Sequence, residues 1–347
     1  MYGENYGYRS GLNRSMVEHL QNKVRDIQSR VPLSSHDVVI DIGSNDSTLL
    51  RSYQHNGAQL VGIDPSGAKF RQYYPEHVQL IPEFFSQTAF TRHFGAKKAK
   101  IVTSIAMFYD LEDPVSFMRQ VHDVLADDGI WVFEQSYMPT MLEVNAYDTA
   151  CHEHLEYYGL RQIKWMTDKV GLKIIGVELN GINGGSFSVT VAKRNSPHVE
   201  CEARIRELLQ SEEKAGLRVL APYLAFRDRV FSHRDALKKQ IRDIQAKGQT
   251  VLGYGASTKG NVILQFCEFT TREIPFIAEV NPDKFGRFTP GTRIPIISEA
   301  DAQAKKPDVF LVLPWHFREN LLAREKAFLH GGGKMLFPLP SLETVGA

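Results

Sequence analysis

Residues 151–158 read Cys-His-Glu-His-Leu-Glu-Tyr-Tyr, with two imidazoles, two carboxylates and two phenols in eight positions. A hydrophobic core needs no such density of titratable groups, whereas a site that moves a proton beside a bound cofactor does. A neutral imidazole suits removal of a proton next to a carbonyl near neutral pH, so the two histidines flanking Glu153, His152 and His154, read as candidates for general base work. On a strand His152 and His154 would share a face and could hold a metal, but no further ligand set accompanies them and no metal is expected. Tyr157 and Tyr158 read as packing aromatics.

Two glycine turns are the other places where the residue types point to chemistry. The first, Gly43-Ser44-Asn45-Asp46-Ser47, follows an apolar run at 37–42, and Asp64, 21 residues after Gly43, ends the next run. A strand, a glycine turn and an acid at the end of the following strand can hold a nucleoside, because the turn admits the ligand to the backbone and the acid accepts from ribose hydroxyls. A nicotinamide dinucleotide would want glycine where Asn45 stands, so that its pyrophosphate could lie on bare backbone. S-adenosylmethionine has no pyrophosphate and tolerates a side chain there, while Asp41 could address its amino acid end. The expected cofactor is therefore S-adenosylmethionine, held by Asp41, Gly43, Asn45, Asp46, Asp64 and Ser104. The second turn carries Gly253, Gly255 and Gly260, but Thr258 takes the third glycine of a dinucleotide fingerprint and Asn261 stands where a Walker loop has lysine. Backbone amides with Ser257, Thr258, Lys259 and Asn261 could hold a diphosphate, or the segment could be a tight strand-to-helix turn without ligand. Glu279, at the end of the next strand, reads as a helix cap or surface acid.

The elements that must position these residues follow from periodicity. Residues 12–30 form an amphipathic helix with Met16, Leu20, Val24 and Ile27 on one face. Short buried strands are expected at 37–42, 59–63, 99–104 and 129–134, with helices beginning near Thr48 and spanning 114–125. This rhythm predicts a doubly wound, mostly parallel sheet. Residues 172–179 and 186–192 form a hairpin across Gly184-Gly185. The stretch 200–246 is charged and helical in period, with Pro222 as its break, and a second α/β unit starts at 250–254 and continues at 274–279 and 309–313. We expect an α/β protein of two domains, 1–199 with the cofactor and 200–347 as a helical linker and C-terminal α/β domain.

Composition narrows the partners. The net charge of +1 gives no electrostatic case for nucleic acid, and the one basic cluster, at 97–100, reads as a solvated lead-in to a strand. No run approaches membrane-spanning length, and the polar first residues do not resemble a signal peptide. Three scattered cysteines without CxxC suit a reducing, cytoplasmic setting. Oligomeric state is left open.

The order DIGSNDSTLL, VGIDPS, CHEHLEYY, NGGSFSVTV and GYGASTKGNVILQ resembles the sugar C-methyltransferases of deoxysugar biosynthesis, essentially along the whole chain. The resemblance implies a Rossmann-like S-adenosylmethionine domain followed by a second, C-terminal α/β domain. It implies methyl transfer to a carbon beside the ketone of a nucleotide-linked 4-keto-6-deoxyhexose. It places Glu153 and His154 at the reacting carbon, with Tyr6 or Tyr8 of the Tyr-Gly-Tyr-Arg-Ser segment facing the site. The sugar nucleotide would meet His152, Asn183, Gly184 and Ser186, together with the Ser257, Thr258, Lys259 and Asn261 set.

Three departures accompany the likeness. The family's N-terminal zinc module has no counterpart in this sequence, whose start favours a trimmed chain. Cys151 replaces a family tyrosine, and Phe108-Tyr109-Asp110 occupy a loop where a family histidine is missing. Two other functions are carried forward, a nicotinamide-dependent sugar oxidoreductase using the Gly255 turn and a non-catalytic nucleotide-binding protein.

Overall fold

Strand β1 (Val38–Ile42) is buried at every position. That is what a run of Val, Val, Ile, Asp and Ile must do when helices cover both faces of a parallel sheet. The computed structural model describes residues 7–54 and 56–346. They divide into two units, one holding the described residues up to 137 with 155–180 and 185–214, the other holding 138–154, 181–184 and the described residues from 215. The division is not one cut in the sequence, since 138–154 and 181–184 leave the N-terminal half and 200–214 remain with it.

In the first unit α1 (Arg14–Arg30) begins at Asn13, whose side chain accepts from the Ser15 amide. It buries Met16, Leu20, Val24 and Ile27, as its periodicity predicts, and also Lys23. After β1 come β2 (Gln59–Ile63) and β3 (Val78–Ile81), then α2 (Gln87–Phe94) and β4 (Ala99–Ile105). Helix α3 (Pro114–Val124) follows, started by Pro114 and by Asp113 accepting from the Ser116 amide. Next is β5 (Leu125–Ser136). With the later β6 (Leu172–Asn180) and β7 (Ser186–Lys193), the sheet has the order β3-β2-β1-β4-β5-β7-β6, with β1 to β5 parallel.

The chain then passes through α4 (Met138–Glu143) of the second unit and returns as α5 (Leu160–Lys169). The last two strands of the first sheet, β6 and β7, pair antiparallel. Trp131, Phe133 and Phe108 pack together beneath α3. Helix α6 (Glu202–Lys214) completes the unit. Its buried Glu212 accepts from Tyr137 Oη at 2.8 Å and from the Arg161 amide at 3.1 Å, which caps α5 from outside.

One expectation fails here. No α-helix begins near Thr48; only a 3-10 turn, Leu50–Ser52, follows the glycine turn. Asn45 and Ser47 take φ values of 50° and 64°, in the left-handed region that a right-handed helix excludes. The Asp46 carboxylate accepts from Thr48 instead.

The second unit continues with α7 (Ala221–Ala246), which Pro222 opens, then β8 (Val251–Tyr254) and α8 (Thr258–Phe266). Strand β9 (Ile277–Glu279) precedes β10 (Ile296–Ser298), α9 (Glu299–Ala304) and β11 (Val309–Val312). Helices α10 (Arg318–Arg324) and α11 (Lys326–His330) lead to β12 (Lys334–Phe337) and β13 (Glu343–Val345). Its sheet runs β10-β9-β8-β11-β12-β13, with only β13 antiparallel to its neighbour. Both sheets reverse direction of travel between their first strand and its later neighbour, β1 and β4 in one and β8 and β11 in the other. In such sheets ligands bind outside the carboxyl ends of the strands at that point.

Candidate active site

In the first unit the expected cofactor residues gather at the carboxyl ends of β1, β2 and β4. Asp41 is buried and accepts from Thr103 Oγ1 at 2.6 Å. Burial pushes its carboxyl up to about 7; the Thr103 hydrogen bond opposes the rise and the Asp64 charge adds to it. Gly43 turns the chain with a φ of 73°. Asp64 accepts from the Asn45 amide at 2.7 Å through one oxygen and from the Ser66 amide at 2.7 Å through the other. A carboxylate offers about four acceptor sites, so each oxygen keeps capacity for a ribose hydroxyl. Ser104 is fully buried and accepts from Trp131 Nε1 at 3.0 Å.

Asn45 and Asp46 bind the N-terminal segment. Asn45 accepts from the Ser10 amide and donates to the Tyr8 carbonyl, both at 3.0 Å. Asp46 accepts from Arg9 Nε at 3.2 Å and from the Gly11 amide at 3.0 Å. Tyr8 is 45% exposed overall, but burial of its hydroxyl end pushes the phenol up to about 12, with Asp46 adding to the rise. Tyr6 lies outside the described residues. Ser186 opens β7 in this unit, opposite Ser136, and so lies apart in the chain's division from Asn183 and Gly184.

In the second unit residues 151–154 form a turn closed by the His154 amide on the Cys151 carbonyl at 3.2 Å. It is not a strand, so His152 and His154 do not share a strand face, and His152 is exposed. His154 Nδ1 lies 2.8 Å from the Thr149 carbonyl. A carbonyl only accepts, which puts the proton of the neutral ring on Nδ1 and the lone pair on Nε2. Burial lowers this imidazole to about 4, the Lys259 ammonium adds to the fall and the Thr149 hydrogen bond resists it. Glu153 is half-buried, and burial raises its carboxyl against the pull of His152.

Lys259, in the first turn of α8, donates to Thr149 Oγ1 at 3.1 Å and to the Asn183 carbonyl at 2.7 Å. Asp148 is fully buried and accepts from Trp315 Nε1 at 2.7 Å. Burial raises the Asp148 carboxyl, and Lys259 and Trp315 oppose the rise. His316 is driven down to about 3 by burial and by Lys259. Asp148 Oδ1 and His316 Nδ1 have no hydrogen-bond partner among the described residues. Gly184 has a φ of 87°, and a Cβ there would stand 2.9 Å from the Trp315 ring, so glycine is required on both counts.

Ser257 caps α8 by accepting from the Gly260 amide at 3.0 Å, so Thr258, Lys259 and Asn261 sit in the first helical turn and not in a loop. Glu279 is buried and is no surface acid. It accepts from the Ala256 amide at 2.9 Å and from the Val280 and Asn281 amides, and pairs with Lys284 at 3.5 Å.

Residues 16–177 match the family described as a methyltransferase domain, and residues 181–340 match that of the C-methyltransferase C-terminal domain. The C-methyltransferase NovU of Streptomyces niveus is 30% identical over 346 residues, 99% of this chain and 81% of the relative. The chain belongs to the C-methyltransferases. Solved structures align with about half of it. The plantazolicin methyltransferase BpumL is 14% identical over 53% of this chain and 87% of its own, with a TM-score of 0.41. An S-adenosylmethionine-dependent methyltransferase from Clostridium acetobutylicum is 12% identical over 51% and 92%, with a TM-score of 0.40. The family assignment rests on the first two findings.

This C-methyltransferase is an enzyme and its cofactor is S-adenosylmethionine. The residues present fit that cofactor: a turn with positive φ after β1, an acid with spare acceptor capacity after β2 and a buried carboxylate at the end of β1. The spacing of Gly43 and Asp64 made these legible. Thr149, Asp148, Trp315 and His316 were not singled out from sequence. Trp315 lies 167 positions from its partner Asp148, and no local signal joins them. The one available hint was Asp148 itself, an acid three residues before the cluster.

Proposed function

We propose that this enzyme methylates a carbon beside the ketone of a nucleotide-diphosphate 4-keto-6-deoxyhexose, with His154 as the base. The observation that carries the reading is the Thr149 carbonyl on His154 Nδ1. It presents Nε2 as the basic atom of a ring that burial keeps neutral. A ketone acidifies the neighbouring C–H, so an imidazole suffices to form the enolate. Bound S-adenosylmethionine supplies an electrophilic methyl group, for which Asp64 would hold the ribose and Asp41 the amino acid end. Bringing enolate and methyl together is chiefly proximity and orientation. Ser257, Thr258 and Asn261, at the start of α8, would receive the diphosphate, and Glu153, Tyr6 and Tyr8 remain candidates at the reacting carbon.

The test is solvent deuterium exchange into a thymidine-diphosphate 4-keto-6-deoxyhexose. His154→Asn should bind S-adenosylmethionine as the wild type does and lose exchange at the reacting carbon. Exchange at the wild-type rate would remove His154 as the base. Asp64→Ala should weaken cofactor binding by roughly tenfold or more, as loss of a hydrogen bond to an ionised group does, and unchanged affinity would contradict the ribose role.

A further inference from the structure

Lys259 belongs to the turn where a diphosphate is expected, yet its ammonium is engaged elsewhere. Two of its three N–H donors go to neutral oxygens, Thr149 Oγ1 and the Asn183 carbonyl. The Thr149 carbonyl takes the proton of His154 Nδ1. A single buried residue thus holds the ammonium through its side chain and the imidazole through its backbone, all within one unit. Cys151, Asp148 and His316 are the other titratable groups that feel Lys259, and His152 is the other that feels His154. None of them makes a 4 Å ion pair with the ammonium among the described residues; burial lowers the Lys259 pKa, and the Asp148 charge, acting from farther off, opposes that fall and supports the ammonium. A cation fixed by neutral oxygens in a buried setting is ready for a charge that appears only during reaction.

We propose that Lys259 is the catalytic cation of the proton-transfer site, its remaining N–H receiving the ketone oxygen as that oxygen becomes an enolate. The inference rests on the reading of His154 as base. His154 Nε2 takes the proton from the carbon beside the ketone. The C–H pair becomes the new C=C bond and the carbonyl π pair moves onto oxygen, where the ammonium hydrogen-bonds without surrendering its proton. The imidazole gains one positive charge, the substrate one negative, and Lys259 is unchanged.

The full chain with S-adenosylhomocysteine and thymidine-diphosphate 4-keto-6-deoxyglucose in deuterated water separates the roles. Lys259→Met should slow exchange at saturating sugar nucleotide by about 100-fold or more, the scale of losing one oxyanion donor, while thymidine diphosphate affinity moves less than threefold. Added ethylammonium should restore part of the exchange to Lys259→Ala, which a purely structural lysine would not allow. Tenfold weaker nucleotide binding with unchanged exchange at saturation would make Lys259 a phosphate ligand and overturn the proposal. Exchange lost in Lys259→Met but kept in His154→Asn would leave the cation standing and remove the base. Should this sugar not exchange at all, the His154 titration followed by NMR in nitrogen-15 histidine-labelled protein decides. It should move to higher pH in Lys259→Met, and an unmoved titration overturns the proposal.

Discussion

A histidine whose Nδ1 proton is locked onto a backbone carbonyl can act as a base only through its other nitrogen, and only while it is neutral. With His154 lowered to about 4, that condition holds well below the range of an ordinary imidazole. At pH 5.5 most such rings are neutral, against ~9% for one with the reference value of ~6.5. The kcat, measured with cofactor and sugar nucleotide saturating, should therefore stay flat from pH 8 to about 5 and fall only below that. An acid limb near 6.5 would mean that the base is not this imidazole. Asp41 has the opposite sense. Raised to about 7, it is largely protonated at pH 6, so S-adenosylmethionine should bind several-fold tighter at pH 8 than at pH 6. Asp41→Asn should bind weakly at both, and a pH dependence surviving in that variant would clear Asp41 of contact with the cofactor's ammonium. The density of titratable groups made 151–154 visible in sequence. The lysine that bears on them lay in plain sight as well, but in a motif whose composition spoke for phosphate. Only the fold, which brings Lys259 to Thr149, assigns it to another neighbourhood.

At the scale of elements, α1 is clamped to the sheet by charge as well as by its apolar stripe. Glu134 of β5 is 2% exposed, and His19 Nε2 meets one of its oxygens at 2.7 Å. Lys23 Nζ, 2.8 Å from the other oxygen, also donates to Ser188 of β7 at 2.8 Å, and Asn180 of β6 adds a hydrogen bond. Burial alone would raise Glu134, but His19 and Lys23 outweigh it and hold the carboxyl down at about 2. The folded value lies below the unfolded 4.5, so this stabilisation is complete above pH 4.5 and is lost as pH falls from there toward 2. Lys23→Met should cost about 3–5 kcal/mol in urea unfolding at pH 7, because it removes the ammonium paired with a buried carboxylate and leaves it only His19 and Asn180 among the described residues. Adding Glu134→Gln should recover much of that, and a single-variant cost below about 1 kcal/mol would show the clamp to be idle. Lys23 lies three residues after Leu20 and four before Ile27, on the very stripe the periodicity marked, and reading only apolar types passed over it. The central strands were legible from their apolar stretches, such as Val38–Ile42 in β1 and Ile130–Phe133 in β5. Strands β3, β10 and β13 were not picked out, although β8, β9 and β11, also three or four residues long, were. The helix expected at Thr48 was lost to two left-handed residues whose side chains permit but do not announce that conformation.

Across the whole molecule two sheets of similar plan each offer a switch point with a glycine turn, and the question is whether both take a nucleoside cofactor. The first pairs its turn with an acid whose oxygens keep acceptor capacity. The second has spent its equivalent: Glu279 accepts from three backbone amides and pairs with Lys284, which itself holds the Ala256 carbonyl at 2.8 Å. The backbone beside Gly255, at a φ of 83°, is already packed, since a Cβ there would stand 2.7 Å from Pro314. Thr258, at the third glycine position, adds a β-branched side chain where a dinucleotide wants close backbone approach. Calorimetric titration should accordingly find micromolar binding of S-adenosylmethionine and S-adenosylhomocysteine, abolished or much weakened by Asp64→Ala. NAD and NADP should give no heat in the same range. Nicotinamide binding that persists in Asp64→Ala would place a second cofactor at the Gly255 turn, and would require Glu279 to exchange backbone amides for a ribose. That exchange is uphill, because an amide left buried without its acceptor costs about 1–3 kcal/mol and the ribose can repay only one such bond for each one broken.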